Sequence, residues 1–140
     1  MSRILHCARH CSPAEQCLLK GMRAVCDATE GLNVAAANFF KLGLNAELAE
    51  SFIRLIQQIR QDRPRFELLQ SSSPFISPDE LSLLAVLALE SKSIPRRADE
   101  GPDFQPDIAR HLEKCGKIIA VSNIVLKARP LRKRLLLKVS

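Results

Sequence analysis

Two Ser-Pro-x-Glu motifs, beginning at Ser12 and Ser77, each stand directly before apolar residues. The serine can cap a helix, the proline suits the first helical position, and the glutamate can bind the amide of the capping residue. The stretches SPAEQCLL at 12–19 and SPDELSLL at 77–84 agree at five of eight positions. A duplicated unit or two independent uses of a common helix start would explain the likeness. Either way, the motifs predict two helices.

Further capping and stopping residues predict three more helices. Asn33 and Asn45 are candidate caps, Gly43 is a candidate stop, and Gly116 could divide the last helix. The third helix is the clearest because its apolar residues recur at steps of three and four. The predicted helices run from Pro13 to Gly31, from Val34 to Leu42, from Ala46 to Arg63, from Pro78 through the leucines after it, and from Pro106 toward Ala128.

A chain of 140 residues suits one domain with its own core. Strand-type alternation is absent at length, although Leu135, Leu137 and Val139 could form one short extended piece. The sequence therefore predicts an all-α, single-domain bundle of about five helices. We expect the helical domain to cover residues 1–128 and a basic C-terminal tail to cover 129–140.

The chain has no membrane-length apolar run, and polar residues interrupt its N-terminus too early for a secretory signal. Its five cysteines form an odd set with no regular framework, so free thiols are expected. We therefore expect a cytoplasmic protein without a transmembrane segment.

Positive charge is concentrated at the C-terminal end. Residues 1–113 carry 13 basic and 15 acidic side chains, a net charge of −2, whereas residues 114–140 carry eight basic side chains and no acid. Such an end suits nucleic-acid phosphates, an anionic membrane surface or an acidic protein patch, or it only aids solubility. Interleaved leucines favour a docked end over a purely solvated one. The predicted partner-binding residues are Lys127, Arg129, Arg132, Lys133, Arg134 and Lys138.

A candidate metal site lies near the N-terminus, where two histidines and two cysteines are each spaced four apart. On a helix, either pair would project from one face toward a single ion, and zinc is the expected metal. Cys17 or Cys26 would have to complete the ligand set, and the alternative is a group of buried thiols and exposed imidazoles. No other cofactor is expected. The candidate ligands are His6, Cys7, His10 and Cys11.

His111 and Cys115 are also four residues apart, so an imidazole there could lower the pKa of a thiol. Phosphate loops, nucleophile elbows and zinc-protease helices are missing from the sequence, so an enzyme is the minority interpretation.

Three functional hypotheses follow. The leading one is a small helical regulatory or adaptor protein that binds a macromolecule through its basic C-terminal region. The alternative is a DNA-associated regulator with a helix-turn-helix-like unit, metal- or redox-responsive through its N-terminal His/Cys residues. The third is a thiol enzyme using His111 and Cys115. The sequence leaves the oligomeric state open, a homo-oligomer included.

Overall fold

The computed structural model describes residues 5–27, 31–95 and 101–131, and these are mostly helical. Five helices of 11 to 17 residues and one single-turn helix occur in these ranges, which confirms the predicted all-α bundle. Two short strands pair antiparallel, with Leu5 opposite Ile76. The elements are β1 (Leu5–His6), α1 (Cys7–His10), α2 (Pro13–Ala24), α3 (Gly31–Lys41), α4 (Ala46–Asp62), β2 (Phe75–Ile76), α5 (Pro78–Ser91) and α6 (Pro106–Val121).

The predicted helix starts are confirmed at four of the five long helices, at Pro13, Ala46, Pro78 and Pro106. Ser12 and Ser77 both form full capping boxes, in which the serine accepts from the glutamate amide and the glutamate accepts from the serine amide. Asn45 caps α4 by accepting from the Leu48 amide. Gly43, at φ +88°, follows the end of α3, where only a residue tolerant of left-handed backbone fits without strain.

The prediction that Gly31 ends the first long helix is wrong. Helix α2 stops at Ala24, and Gly31 is instead the first residue of α3, so Asn33 lies inside α3 rather than capping it. A Cβ atom on Gly31 would lie 2.2 Å from the Ala24 carbonyl oxygen. The glycine is needed for this close approach between two helices.

The last helix ends at Val121, well before the predicted Ala128. Asn123 takes the left-handed conformation at φ 58°, and the Ile124 amide bonds the Ile119 carbonyl. Ile119 and Ile124 are both buried, which is the apolar contact that accompanies this helix end. The expected extended piece at Leu135–Val139 lies outside the described residues.

Gly116 does not divide α6, which is continuous across it. A Cβ atom there would lie 2.4 Å from the Cβ of Glu90 at the end of α5. The glycine therefore allows α5 and α6 to pack closely.

The core lies between two helix pairs, α2 with α3 and α5 with α6, and α4 packs against both α3 and α6. Phe39 and Phe52 pack with ring centroids 5.5 Å apart, and both are fully buried. After α6, residues 122–131 run without regular structure and insert Ile124 and Leu126 into the core. Within the described ranges, no helix has the length and apolarity needed to cross a membrane.

Candidate partner-binding surface

Glu15, the third residue of α2 and the glutamate of its capping box, lies in a fully buried position. One carboxylate oxygen, Oε1, accepts from the Ser12 amide, while Oε2 accepts from the Lys127 amide at 2.9 Å. The glutamate that caps α2 therefore also binds the segment that follows α6. Two segments that are 112 positions apart in the sequence meet at this carboxylate.

Arg129 completes this contact. Its guanidinium donates to both carboxylate oxygens of Glu15, at 2.6 and 3.0 Å, and to the His10 carbonyl at 2.6 Å. Only 13% of the Arg129 side chain is exposed. Burial alone would raise the pKa of Glu15, but hydrogen bonds from Arg129, Ser12 and Lys127 outweigh it and lower that pKa. We call this ion pair, Glu15 with Arg129, the C-terminal anchor.

The six predicted partner-binding residues divide into three groups in the structure. Arg129 is held inside the fold by Glu15, although the sequence placed it in the tail. Lys127 is exposed, and within the described ranges its side chain meets no carboxylate. Arg9 is exposed in the turn that binds Arg129, so it extends the cationic surface at the anchor. The others, Arg132, Lys133, Arg134 and Lys138, lie outside the described residues.

A second buried ion pair has the same design at the start of α5. Arg23 donates to both carboxylate oxygens of Glu80 and to the Phe75 carbonyl, as Arg129 donates to Glu15 and to the His10 carbonyl. The acceptor carbonyl is two residues before the capping serine in both cases. Each glutamate also accepts one amide from a distant segment, Leu69 at Glu80 and Lys127 at Glu15. The likeness between the two motifs thus extends from eight sequence positions to a shared set of contacts.

The structure brings Cys7 and Cys11 together and buries both. Burial is the largest cause that raises the pKa of Cys11 to about 12, and the neighbouring Cys7 raises it further. The Arg129 guanidinium lies 3.8 Å from the Cys11 Sγ. The two thiols therefore lie directly beside the C-terminal anchor.

The two candidate histidine ligands do not join these thiols in a cluster. The His6 ring packs against Phe75 with centroids 5.1 Å apart, and His10 is exposed. Across residues 5–27, 31–95 and 101–131, no three or more His, Cys, Asp or Glu side chains are grouped as metal ligands. Zinc binding stays a prediction that the geometry does not strengthen.

Helix α4 supplies polar partners for both His111 and Cys115. The His111 Nδ1 lies 2.8 Å from the Gln58 Oε1, while the Cys115 thiol points at the Ser51 carbonyl oxygen, 3.7 Å away. Burial raises the pKa of Cys115 to about 12, against a smaller lowering effect of Lys114. Burial likewise lowers the pKa of His111. These shifts favour a neutral thiol and a neutral imidazole, the opposite of an activated nucleophile.

Sequence reasoning missed the importance of Glu15, Glu80 and Arg23. The capping pattern predicted that each glutamate would bind its own helix start, and this is confirmed. It carried no signal that an arginine from elsewhere would also bind there. The sequence feature that could have indicated a buried cation is the position of Arg23 directly after the apolar Met22, in a helix that is mostly buried.

Comparison with known proteins finds no matching family model, no similar curated protein and no similar solved structure.

Proposed function

We propose that this protein is a small helical regulatory or adaptor protein that binds an anionic macromolecular surface through its basic C-terminal region. One observation carries the proposal: residues 114–140 contain eight basic side chains and no acidic one. Two of these cations, Lys117 and Arg129, are paired with carboxylates of earlier residues, Glu113 and Glu15. The segment has no carboxylate of its own for the others, so an external anion is their proposed complement.

The C-terminal anchor supports this proposal by holding the described part of the basic region, up to Leu131, against the start of α2. Because Glu15 holds both Arg129 and the Lys127 amide, the chain up to Leu131 follows a defined path along the start of α2. Arg9 and Lys127 are exposed in the two segments that the anchor joins. Arg129 has a positioning role in this proposal, and the neighbouring cations contact the partner.

The α2–α3 pair does not favour the alternative of a DNA-associated regulator with a helix-turn-helix-like unit. A helix-turn-helix reader presents a helix whose side chains reach base edges and phosphates. Helix α3, the second helix of the α2–α3 pair, carries one cation, Lys41, and exposes apolar side chains.

The proposal is tested by replacing the cations of the C-terminal region in the full chain. A triple variant Arg132→Ala, Lys133→Ala, Arg134→Ala is titrated against a labelled DNA duplex and against a labelled poly-glutamate peptide. We expect weaker binding to at least one probe, and for DNA a salt slope that falls by about one for each cation removed.

The matched control removes three exposed lysines from the body: Lys20→Ala, Lys41→Ala, Lys92→Ala. This variant has the same net charge as the C-terminal variant, so a general charge effect would weaken both equally. Equal binding by the wild type and the C-terminal variant would contradict the proposal, and so would equal losses in the two triple variants.

A further inference from the structure

Two apolar side chains at the end of α6 stand out by their exposure. Val121 is 77% exposed and Val125 is 76% exposed, whereas the other exposed large apolar residues range from 36% to 51%. Scattered single apolar residues at a surface are ordinary, but two strongly exposed valines only four positions apart form a small apolar feature that a partner could cover.

The end of α6 keeps these valines near each other. They are four positions apart in the sequence, so their Cα atoms lie within about 14 Å even in a fully extended chain. After the turn at Asn123, burial alternates: Ile124 and Leu126 point into the core, and Val125 and Lys127 point outward. This inward anchoring holds Val125 on the surface.

Cations border the two valines. Lys117 lies one helical turn before Val121 on the same side of α6, and Lys127 lies two residues after Val125 on the same side of the extended segment. We call these four residues the valine patch: Lys117, Val121, Val125 and Lys127.

Among the described residues, neither lysine of the valine patch belongs to a buried ion pair. Lys117 has a contact with Glu113 at 3.4 Å, but both side chains are largely exposed, and such pairs contribute little. Glu113 is also the last acidic residue of the sequence. A complementary partner must therefore offer both negative charge and apolar surface.

From this combination we infer that the valine patch binds an acidic amphipathic segment of another protein. A nucleic-acid duplex would satisfy the lysines but would leave the valines largely uncovered, because its interfaces are polar and strongly charged. Protein interfaces, in contrast, combine an apolar centre with a polar rim. This inference rests on the proposed function and names the class of its partner.

The test uses the full chain and three labelled probes. The first is a synthetic peptide with leucines at helical spacing among glutamates, the second replaces each leucine by serine, and the third is a DNA duplex. We expect the wild type to bind the leucine peptide about tenfold more tightly than the serine peptide, since the leucines can cover the valines.

The variant Val121→Ser, Val125→Ser should lose this preference and bind both peptides equally. The variant Lys117→Ala, Lys127→Ala should weaken both peptides while keeping the preference. As a matched control, Leu32→Ser, Val34→Ser removes two exposed apolar side chains of α3 and should bind like the wild type. All changed side chains are exposed, and circular dichroism checks that each variant keeps its helices.

The outcomes distinguish this inference from the proposed function. Equal wild-type binding of the two peptides would overturn the inference, and so would a preference that survives Val121→Ser, Val125→Ser. If DNA binds with salt dependence and neither peptide does, the proposed function stands and the inference fails. If none of the three probes binds, both fail.

Discussion

Arg23 and Glu80 form a buried ion pair across 57 sequence positions, with the Arg23 Nε 2.7 Å from the Glu80 Oε2. Both side chains are almost completely removed from solvent, at 2% and 0% exposure. Further hydrogen bonds from Arg23 reach the Phe75 and Ser73 carbonyls, so the guanidinium is well satisfied. The pair ties the end of α2 to the start of α5.

Replacing Arg23 by methionine should lower the free energy of unfolding by about 3–5 kcal/mol, because it leaves the Glu80 carboxylate buried without its cation. Urea unfolding measures this change. The matched control is Arg54→Met, which breaks an exposed pair with Glu50 and should cost less than about 1 kcal/mol. Equal losses in the two variants would show that the buried pair has no special role.

The Glu15 carboxylate should make the fold sensitive to acid. Hydrogen bonds from Arg129, Ser12 and Lys127 outweigh burial and hold the pKa of Glu15 below its ordinary value of 4.5. Ionised Glu15 therefore stabilises the folded state at neutral pH, and this contribution is lost as the pH falls below about 4.5 and through the folded pKa.

Unfolding midpoints measured between about pH 7 and pH 3 test this prediction. Glu15→Gln should lower stability at neutral pH and show a smaller loss in acid than the wild type. Glu47→Gln, an exposed first-turn carboxylate of α4, should keep the wild-type dependence. An unchanged acid dependence in Glu15→Gln would contradict the assignment.

Breaking the C-terminal anchor should release residues 122–131 locally. In Arg129→Met, the Lys127 amide can still donate to the Glu15 carboxylate. That carboxylate, however, is no longer held in place by the Arg129 guanidinium. Hydrogen exchange at that amide should accelerate by about 10- to 100-fold, the equivalent of a charged hydrogen bond. Arg110→Met, at an exposed pair with Asp107, should leave the rate unchanged. An unaltered Lys127 amide in Arg129→Met would argue against the anchor.

The thiols should differ widely in reactivity. Raising the pKa of Cys115 from 9.0 to about 12 leaves about a thousandfold less thiolate at neutral pH, and Cys11 is shifted similarly. Cys26 is exposed, so iodoacetamide with mass spectrometry should find it modified first. In urea all five cysteines should react alike. Fast modification of folded Cys115 would contradict its burial and would favour the hypothesis of a thiol enzyme using His111 and Cys115.

The same shifts predict alkaline sensitivity. A buried thiol whose folded pKa is raised stabilises the fold fully below pH 9.0, and this contribution is lost as the pH rises toward about 12. Cys115→Ala should reduce the alkaline loss measured by urea unfolding, whereas Cys26→Ala, at an exposed position, should reduce it less.

The contact between α5 and α6 depends on the absence of a side chain at Gly116. Gly116→Ala would place a Cβ atom 2.4 Å from the Glu90 Cβ and 2.8 Å from its carbonyl carbon. Because backbone must move to relieve this overlap, the free energy of unfolding should fall by about 1–3 kcal/mol despite the better helix propensity of alanine. The neighbouring Lys117→Ala, on the exposed face, should change stability by less than about 0.5 kcal/mol.

Predictions from sequence succeeded where the interaction is local. The capping boxes at Ser12 and Ser77 join residues three positions apart, and the Asn45 cap spans the same distance, so the pattern contains both partners. The predicted helix stop at Gly43 is also confirmed, because tolerance of a left-handed backbone is a property of glycine itself.

Predictions failed where a distant element decides the outcome. Because glycine disfavours helix, the sequence predicted that Gly31 would end a helix and that Gly116 could divide one. One begins α3 against the Ala24 carbonyl, and the other lies within α6 against Glu90. The reason is packing between helices, which sequence spacing does not contain. For the same reason, the sequence did not predict that Arg129, among the basic residues of the C-terminal region, would be buried in an ion pair with Glu15.

The amino-acid sequence by itself determined the helical class, the main helix starts and the separation of a near-neutral body from a cationic C-terminal end, because capping, periodicity and charge depend on neighbouring residues. Only the tertiary structure decided that Glu15 would hold Arg129, since 114 positions separate them and a buried carboxylate selects its cation by geometry. The same packing left Val121 and Val125 bare beside lysines, which is a property of the folded surface alone.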